Sequence, residues 1–220
     1  MLLQTVRAPV LHTVSIAGLR PTQMTIGRRE VERRANELET MARDERRRYL
    51  ADHAVPVVKG PKGRLYAIDR HHLLAALLLS GAEKVAVKAV LDFRDIDSGT
   101  FFEVMDDLGL VHPFDDEGRR REYDDLPLRI DDMADDPFRS LAGALRRGGG
   151  YSKDRTPFSE FLWADFLRRR IARTRVETQF ETTLAPALEL ASRGEARELP
   201  GWHANGGVSI ASVPSAPTPA

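Results

Sequence analysis

The 220-residue chain carries 33 basic and 33 acidic side chains and no cysteine. The cancelling charge leaves no net field to draw it onto nucleic acid or an acidic membrane, and the missing thiol excludes disulfides, cysteine-based zinc sites and thiol catalysis together. No apolar run approaches the roughly 20 residues that span a bilayer, and residues 1–10 lack a basic and then apolar leader, so a cytoplasmic protein is expected, or an exported one whose leader had already been removed.

In chain order, Val14 and Ile16 in the loose alternation of residues 12–17 predict a first strand, ended by Gly18 and by Pro21, which keeps Arg20 from helical dihedrals. Residues 23–27 read as a loop. From Arg28 to about Leu50, Val31, Ala35, Leu38 and Met41 recur at helical spacing, with both charge signs interleaved on the other faces, as a solvated helix shows. Residues 54–59 and 65–68 read as the arms of a hairpin around Gly60-Pro-Lys-Gly63.

At residues 65–81 a short apolar run gives way to a helix. Asp69 stands where an N-cap belongs, residues 73–79 are apolar on almost every side, as in a helix buried on most of its surface, and Ser80-Gly81 ends it. Arg70, His71 and His72 then occupy the first turn, where amides lack intrahelical partners and the macrodipole is positive. Such an end suits a phosphate. Arg70 offers a fork of donors, and a first-turn histidine is kept neutral as a donor or base. Adjacent helical histidines diverge by about 100° and make a poor metal pair.

Residues 84–91 predict a further strand, and strand, hairpin, helix and strand in so short a space make an α+β layer. Asp97-Ser98 caps a helix through Leu108, and residues 111–136 form an irregular stretch broken by prolines. Residues 138–147 read as a helix stopped by three glycines. That triplet lacks the Gly-Lys-Ser/Thr ending of a phosphate loop and follows a helix rather than a strand, so a joint is expected; Lys153 beyond it is placed to reach a phosphate as a point charge. Residues 157–174 and 175–192 predict two more helices, the last kinked or broken at Pro186. The predicted organisation is an α+β core over 1–95, a helical extension over 96–204 packed on or near it, and a Gly/Ser/Ala/Pro-rich disordered tail over 205–220.

Gly63-x-Leu65-Tyr66-x-Ile68-Asp69-Arg70-His71-His72-Leu73-Leu74-x-Ala76-Leu77, with Leu19-Arg20-Pro21-Thr22-Gln23-Met24-Thr25-Ile26-Gly27 upstream, resembles the ParB-like putative nuclease family. The run Asp124-Asp125-Leu126-Pro127-Leu128-Arg129 to Trp163-Ala164-Asp165-Phe166-Leu167-Arg168 is similar to that family's second half. The resemblance spans about residues 10–175. It implies the ParB/sulfiredoxin fold, in which a strand leads into a helix whose N-terminus binds nucleotide phosphates, and it brings the loop with Gln23 and Thr25 near that helix end. Relatives in the wider group include a partition CTPase, a sulfinic acid reductase and free-serine kinases, and the absent cysteine excludes the reductase chemistry.

Departures from those relatives bear on the chemistry. The serine kinases carry an Asp-Gly-His-His-Arg motif where this chain reads Asp69-Arg70-His71-His72-Leu73, and their catalytic glutamate lies near the position of Gln23, which cannot accept a proton. Arg70-His71-His72 also replaces ParB's Glu-Arg-Arg. The sequence therefore predicts a phosphotransferase or nucleotide hydrolase with Arg70, His71, His72, Gln23, Thr25 and Lys153 as phosphate or nucleotide contacts. His71, His72, Asp69 and Glu30 are its candidate catalytic groups, although Asp69 also reads as a plain cap and Glu30 as the ion-pair partner of Arg34. Mg2+ with an adenine or other nucleotide is the expected cofactor, with Asp69 as its candidate ligand. A ParB-like DNA binder or nuclease and a non-catalytic nucleotide-binding module are the competing readings, and nucleic acid is disfavoured as a partner by the balanced charge.

Overall fold

A computed structural model describes residues 11–203; the N-terminal leader question and the tail over 205–220 lie outside the described residues. The chain divides into two compact units that meet in sequence at Ser140 and Leu141.

In the first unit the elements run β1 (Leu11–Ser15), β2 (Leu19–Pro21), β3 (Thr25–Ile26), α1 (Arg28–Thr40), α2 (Arg43–Asp52), β4 (Val55–Lys59), β5 (Leu65–Ala67), α3 (His71–Leu79), β6 (Lys84–Asp92), α4 (Ser98–Asp107), β7 (Ala134–Asp135) and the start of α5 (Pro137–Arg147). Five strands form one mixed sheet in the order β1-β6-β4-β5-β2, and β3 pairs with β7 in a separate parallel ribbon. The fold is α+β, as expected. Because β7 supplies the partner of β3, the first unit runs on well past residue 95.

Strand alternation sends side chains to both faces of the sheet. Val55, Val57, Ala67, Val85 and Val87 pack with Leu38 of α1 and Leu73, Leu74 and Leu77 of α3, whereas Val58 and Tyr66 join Phe101 and Met105 of α4. Val57 and Val58, adjacent on β4, serve opposite layers by this alternation, and the register against β6 shifts between them. The hairpin turn tightens through the Gly60 N–H donating to the Arg64 carbonyl at 2.8 Å, with Lys62 at φ 58° and Gly63 at φ 71°.

Several boundaries differ from expectation. The helix predicted over 28–50 is two, because Met41 and Ala42 are extended between α1 and α2; no glycine or proline marks the break, which tertiary packing imposes with Met41, Tyr49 and Leu50 laid against the core. The helix predicted from Pro157 starts two residues later, since Phe158 is left-handed at φ 57°.

The second unit contains the rest of α5, then α6 (Ser159–Arg168), α7 (Arg173–Thr178) and α8 (Phe180–Ser192). The expected break of the last helix falls at Gln179 rather than at Pro186, which lies inside α8. The three glycines close α5: Gly150 N–H donates to the Leu145 carbonyl at 2.9 Å and Gly149, at φ 82°, to the Arg146 carbonyl at 3.1 Å. This is a helix C-cap of the glycine type. In the core of this unit Tyr151 stacks on Trp163 with centroids 4.4 Å apart.

A Cβ at Gly60 would sit 2.5 Å from Tyr66 Cε2 and 2.8 Å from Phe101 Cζ. Both rings are buried, so Gly60→Ala is expected to lower unfolding free energy by about 1–3 kcal/mol, as overpacked cores do, measured by urea denaturation.

Candidate functional site

The strand-to-helix junction at residues 67–73 is built by one unusual backbone residue. Arg70, not Asp69, is the N-cap of α3, correcting the expectation, and it takes left-handed dihedrals, φ 64° and ψ 28°. Asp69 stands one residue further out, exposed, its Oδ1 accepting the Arg70 N–H at 2.6 Å. Such a left-handed turn is one that glycine adopts freely and arginine at a cost of about 1–2 kcal/mol. The Arg70 guanidinium donates from Nη1 to the Ala54 carbonyl at 3.0 Å and makes no ion pair among the described residues. The first intrahelical bond of α3 runs from Leu74 N–H to the Arg70 carbonyl. The first turn of α3 therefore precedes that bond, and the N-cap residue adds no side-chain cap.

The two imidazoles turn away from that end to hold the segment at 22–27. His71 is buried, 3% exposed; its Nε2 accepts the Thr22 N–H at 3.2 Å, and its other nitrogen bonds the Ala67 carbonyl. The Thr22 hydroxyl donates to the same carbonyl at 2.9 Å. Burial drives the His71 pKa from 6.5 down to about 3, with the Ala67 bond opposing and the Arg139 charge assisting, so the ring is neutral at physiological pH. With both nitrogens spent on backbone, His71 positions the segment and has no lone pair left for a substrate proton. His72, half-buried, accepts the Gly27 N–H at Nε2 at 2.9 Å.

On its other side the same segment is held by backbone bonds: His112 N–H to the Thr22 carbonyl at 2.7 Å, Ala134 N–H to that of Met24 at 3.0 Å, and Asp136 N–H to that of Ile26 at 2.7 Å. These contacts bring the starts of α1 and α5 together. A Cβ at Gly27 would lie 2.6 Å from Ser140 Oγ and 2.7 Å from its backbone nitrogen, so only glycine allows the approach. Asp135 accepts the Arg28 N–H at 2.7 Å and Asp136 that of Phe138 at 2.9 Å; each carboxylate lies at the positive end of a helix. Anions built into the chain therefore occupy the starts of α1 and α5, while the start of α3 has none but the outlying Asp69.

Of the other predicted residues, Gln23 is buried and its Nε2 donates to the Thr25 carbonyl at 2.8 Å. Thr25 is buried with an Oγ1 that makes no hydrogen bond. Glu30 is 7% exposed, in the first turn of α1, and pairs with Arg33 at 3.5 Å rather than with the expected Arg34. Lys153 is exposed and belongs to the second unit. Among the described residues no group of three or more His, Asp or Glu is placed to hold a metal ion, and no helix is long and apolar enough to cross a membrane. Sequence reasoning missed Thr22, Asp135, Asp136 and Ser140. The run Asp135-Asp136-Pro137 did carry a signal, an acidic N-cap followed by proline at the first helical position.

A family model described as "Putative ParB-like nuclease" matches residues 12–169. The chain belongs to that family. The matched ParB-like region takes in the whole junction described above, from β2 through α3 to the start of α5. The crystal structure of protein Atu1540 from Agrobacterium tumefaciens is similar over 91% of this chain and 100% of its own, at 49% identity and a TM-score of 0.83. No curated protein matches.

Between pH 6.5 and about 3 the unfolded chain binds a proton that buried His71 refuses. Stability is therefore full above pH 6.5 and falls as pH drops, by up to about 1.4 kcal/mol per pH unit; His71→Gln is expected to abolish that part of the slope in urea unfolding followed across the acid range. Gly27→Ala, blocked by Ser140 backbone, is expected to destabilise by about 1–3 kcal/mol, read as a lowered urea midpoint.

Proposed function

We propose that this ParB-like protein binds a nucleotide or other phosphorylated ligand at the start of α3. The observation that carries the reading is that α3 opens at Arg70, whose guanidinium is anchored by one nitrogen on a neutral carbonyl and has no acidic partner among the described residues. Amides at a positive helix end and a planar cation beside them are complementary to phosphate oxygens. Asp69, alone and exposed, suits a Mg2+ ion that arrives chiefly liganded by the phosphates themselves.

The clamp made by His71 and His72 argues for a division of labour. His71 holds the wall of the site in place and leaves proton transfer to other groups, so a phosphotransferase or hydrolase working here would draw its base from Asp69, from Glu30 or from the ligand. A non-catalytic nucleotide-binding module fits the same geometry. Membership of a family described as ParB-like nuclease favours a second reading, in which the phosphate gripped is that of a nucleic acid.

A thermal-shift screen of nucleotides with and without Mg2+ tests the first reading: a ligand at about 100 times its Kd stabilises by about 2.7 kcal/mol. Arg70→Gly removes the guanidinium at a position whose backbone glycine prefers, so the fold is expected to persist while affinity falls about tenfold or more, the worth of a charge-assisted bond. Nucleotides without effect, alongside DNA binding that weakens steeply with salt, would replace this reading by the second.

A further inference from the structure

Away from the start of α3 lies an open groove of about 440 Å³ between α1, α3 and the segment at 130–135. Ile26, Val31, Leu78, Ile130 and Met133 give it an apolar lining. At its edge Leu79, on the last turn of α3, is 62% exposed, an unusual position for a large apolar side chain in a helix otherwise turned into the core. Arg28 and Glu32, both lining the groove, are exposed, and neither side chain makes an ion pair among the described residues, whereas the other two charged groups of the lining, Asp131 and Asp135, are held by Arg129 and by the Arg28 N–H.

We propose that this groove is a homodimer interface, with Leu79 of each copy seated in the groove of the other and Arg28 of each copy facing Glu32 of the other. A two-fold interface must be complementary to itself. This patch presents a projecting apolar side chain beside an apolar recess, and an unpaired cation beside an unpaired anion, which is the pattern self-complementarity requires. Arg28 and Glu32 are four residues apart and share one face of α1. Two copies of α1 crossing antiparallel about a two-fold axis place residue 28 of one opposite residue 32 of the other. Within a single helix the same pair is in the weaker order, cation before anion, consistent with their not bonding within the chain. Burial of Leu79 removes its exposed apolar surface from water.

Sedimentation equilibrium of the full chain over about 1–100 µM, bracketing a micromolar Kd, tests this. Wild type is expected to dimerise. Leu79→Glu and Arg28→Glu are each expected to raise Kd at least about tenfold, with melting temperatures near wild type. Arg28→Glu places an acid in the first turn of α1, where the dipole favours it but Asp135 and Glu32 oppose it, so its Kd is read only with a melting temperature matched to wild type. The double variant Arg28→Glu with Glu32→Arg is expected to restore Kd to within about threefold of wild type, since the exchanged charges still face each other. A wild-type chain that stays monomeric throughout overturns the proposal. So does a dimer indifferent to Leu79→Glu, which would place its interface elsewhere, or a double variant no better than Arg28→Glu alone.

Discussion

Two neutral imidazoles standing in for a strand partner hold the first unit's strand-to-helix corner together. The segment at 22–27 leaves the sheet after β2, and its N–H groups at Thr22 and Gly27 need acceptors. His71 and His72, adjacent on the first turn of α3, provide them. Because adjacent helical side chains diverge, the two rings reach donors five residues apart and stretch the segment between them. A protonated ring could not accept either bond, so this arrangement exists only for neutral histidine. Burial enforces that state at His71.

The stretched segment then becomes the ground on which the rest of the unit assembles. Its outer edge pairs with residues 112 and 134–136, which is how a long irregular connection is drawn back to the core. Its last residue, Gly27, lets the start of α5 approach the start of α1 within backbone contact. Asp135 and Asp136 neutralise those two helix starts. What remains uncompensated is the start of α3, where the chain places Arg70 rather than an acid.

The left-handed turn at Arg70 unites the sequence motif with the geometry. A glycine-to-arginine departure from the kinase motif looks from sequence like the loss of a flexible residue. In the folded chain the backbone at Arg70 takes a left-handed path that glycine favours, and its side chain carries a cation held by one nitrogen on the Ala54 carbonyl. The missing glutamate at Gln23 has a counterpart in the fold: Gln23 spends its amide on the Thr25 carbonyl and so helps shape the segment that the histidines hold.

Periodicity and punctuation made the sheet, the hairpin, the buried α3 and the Asp97 cap legible, because alternation and helical spacing are local consequences of burying one face. The motif at 69–72 likewise marked the junction between β5 and α3, where the two histidines meet the segment at 22–27. The sequence by itself determined the α+β class, the family and the buried helix behind Ile68. Only the tertiary structure decided that the histidines face backbone donors, that residues 134–140 belong beside residues 25–30, and that the helix at 28–50 breaks at Met41. The first two outcomes depend on polar groups that meet across 45 to 107 residues of chain and the third on apolar packing against the core, and no local spacing encodes such meetings.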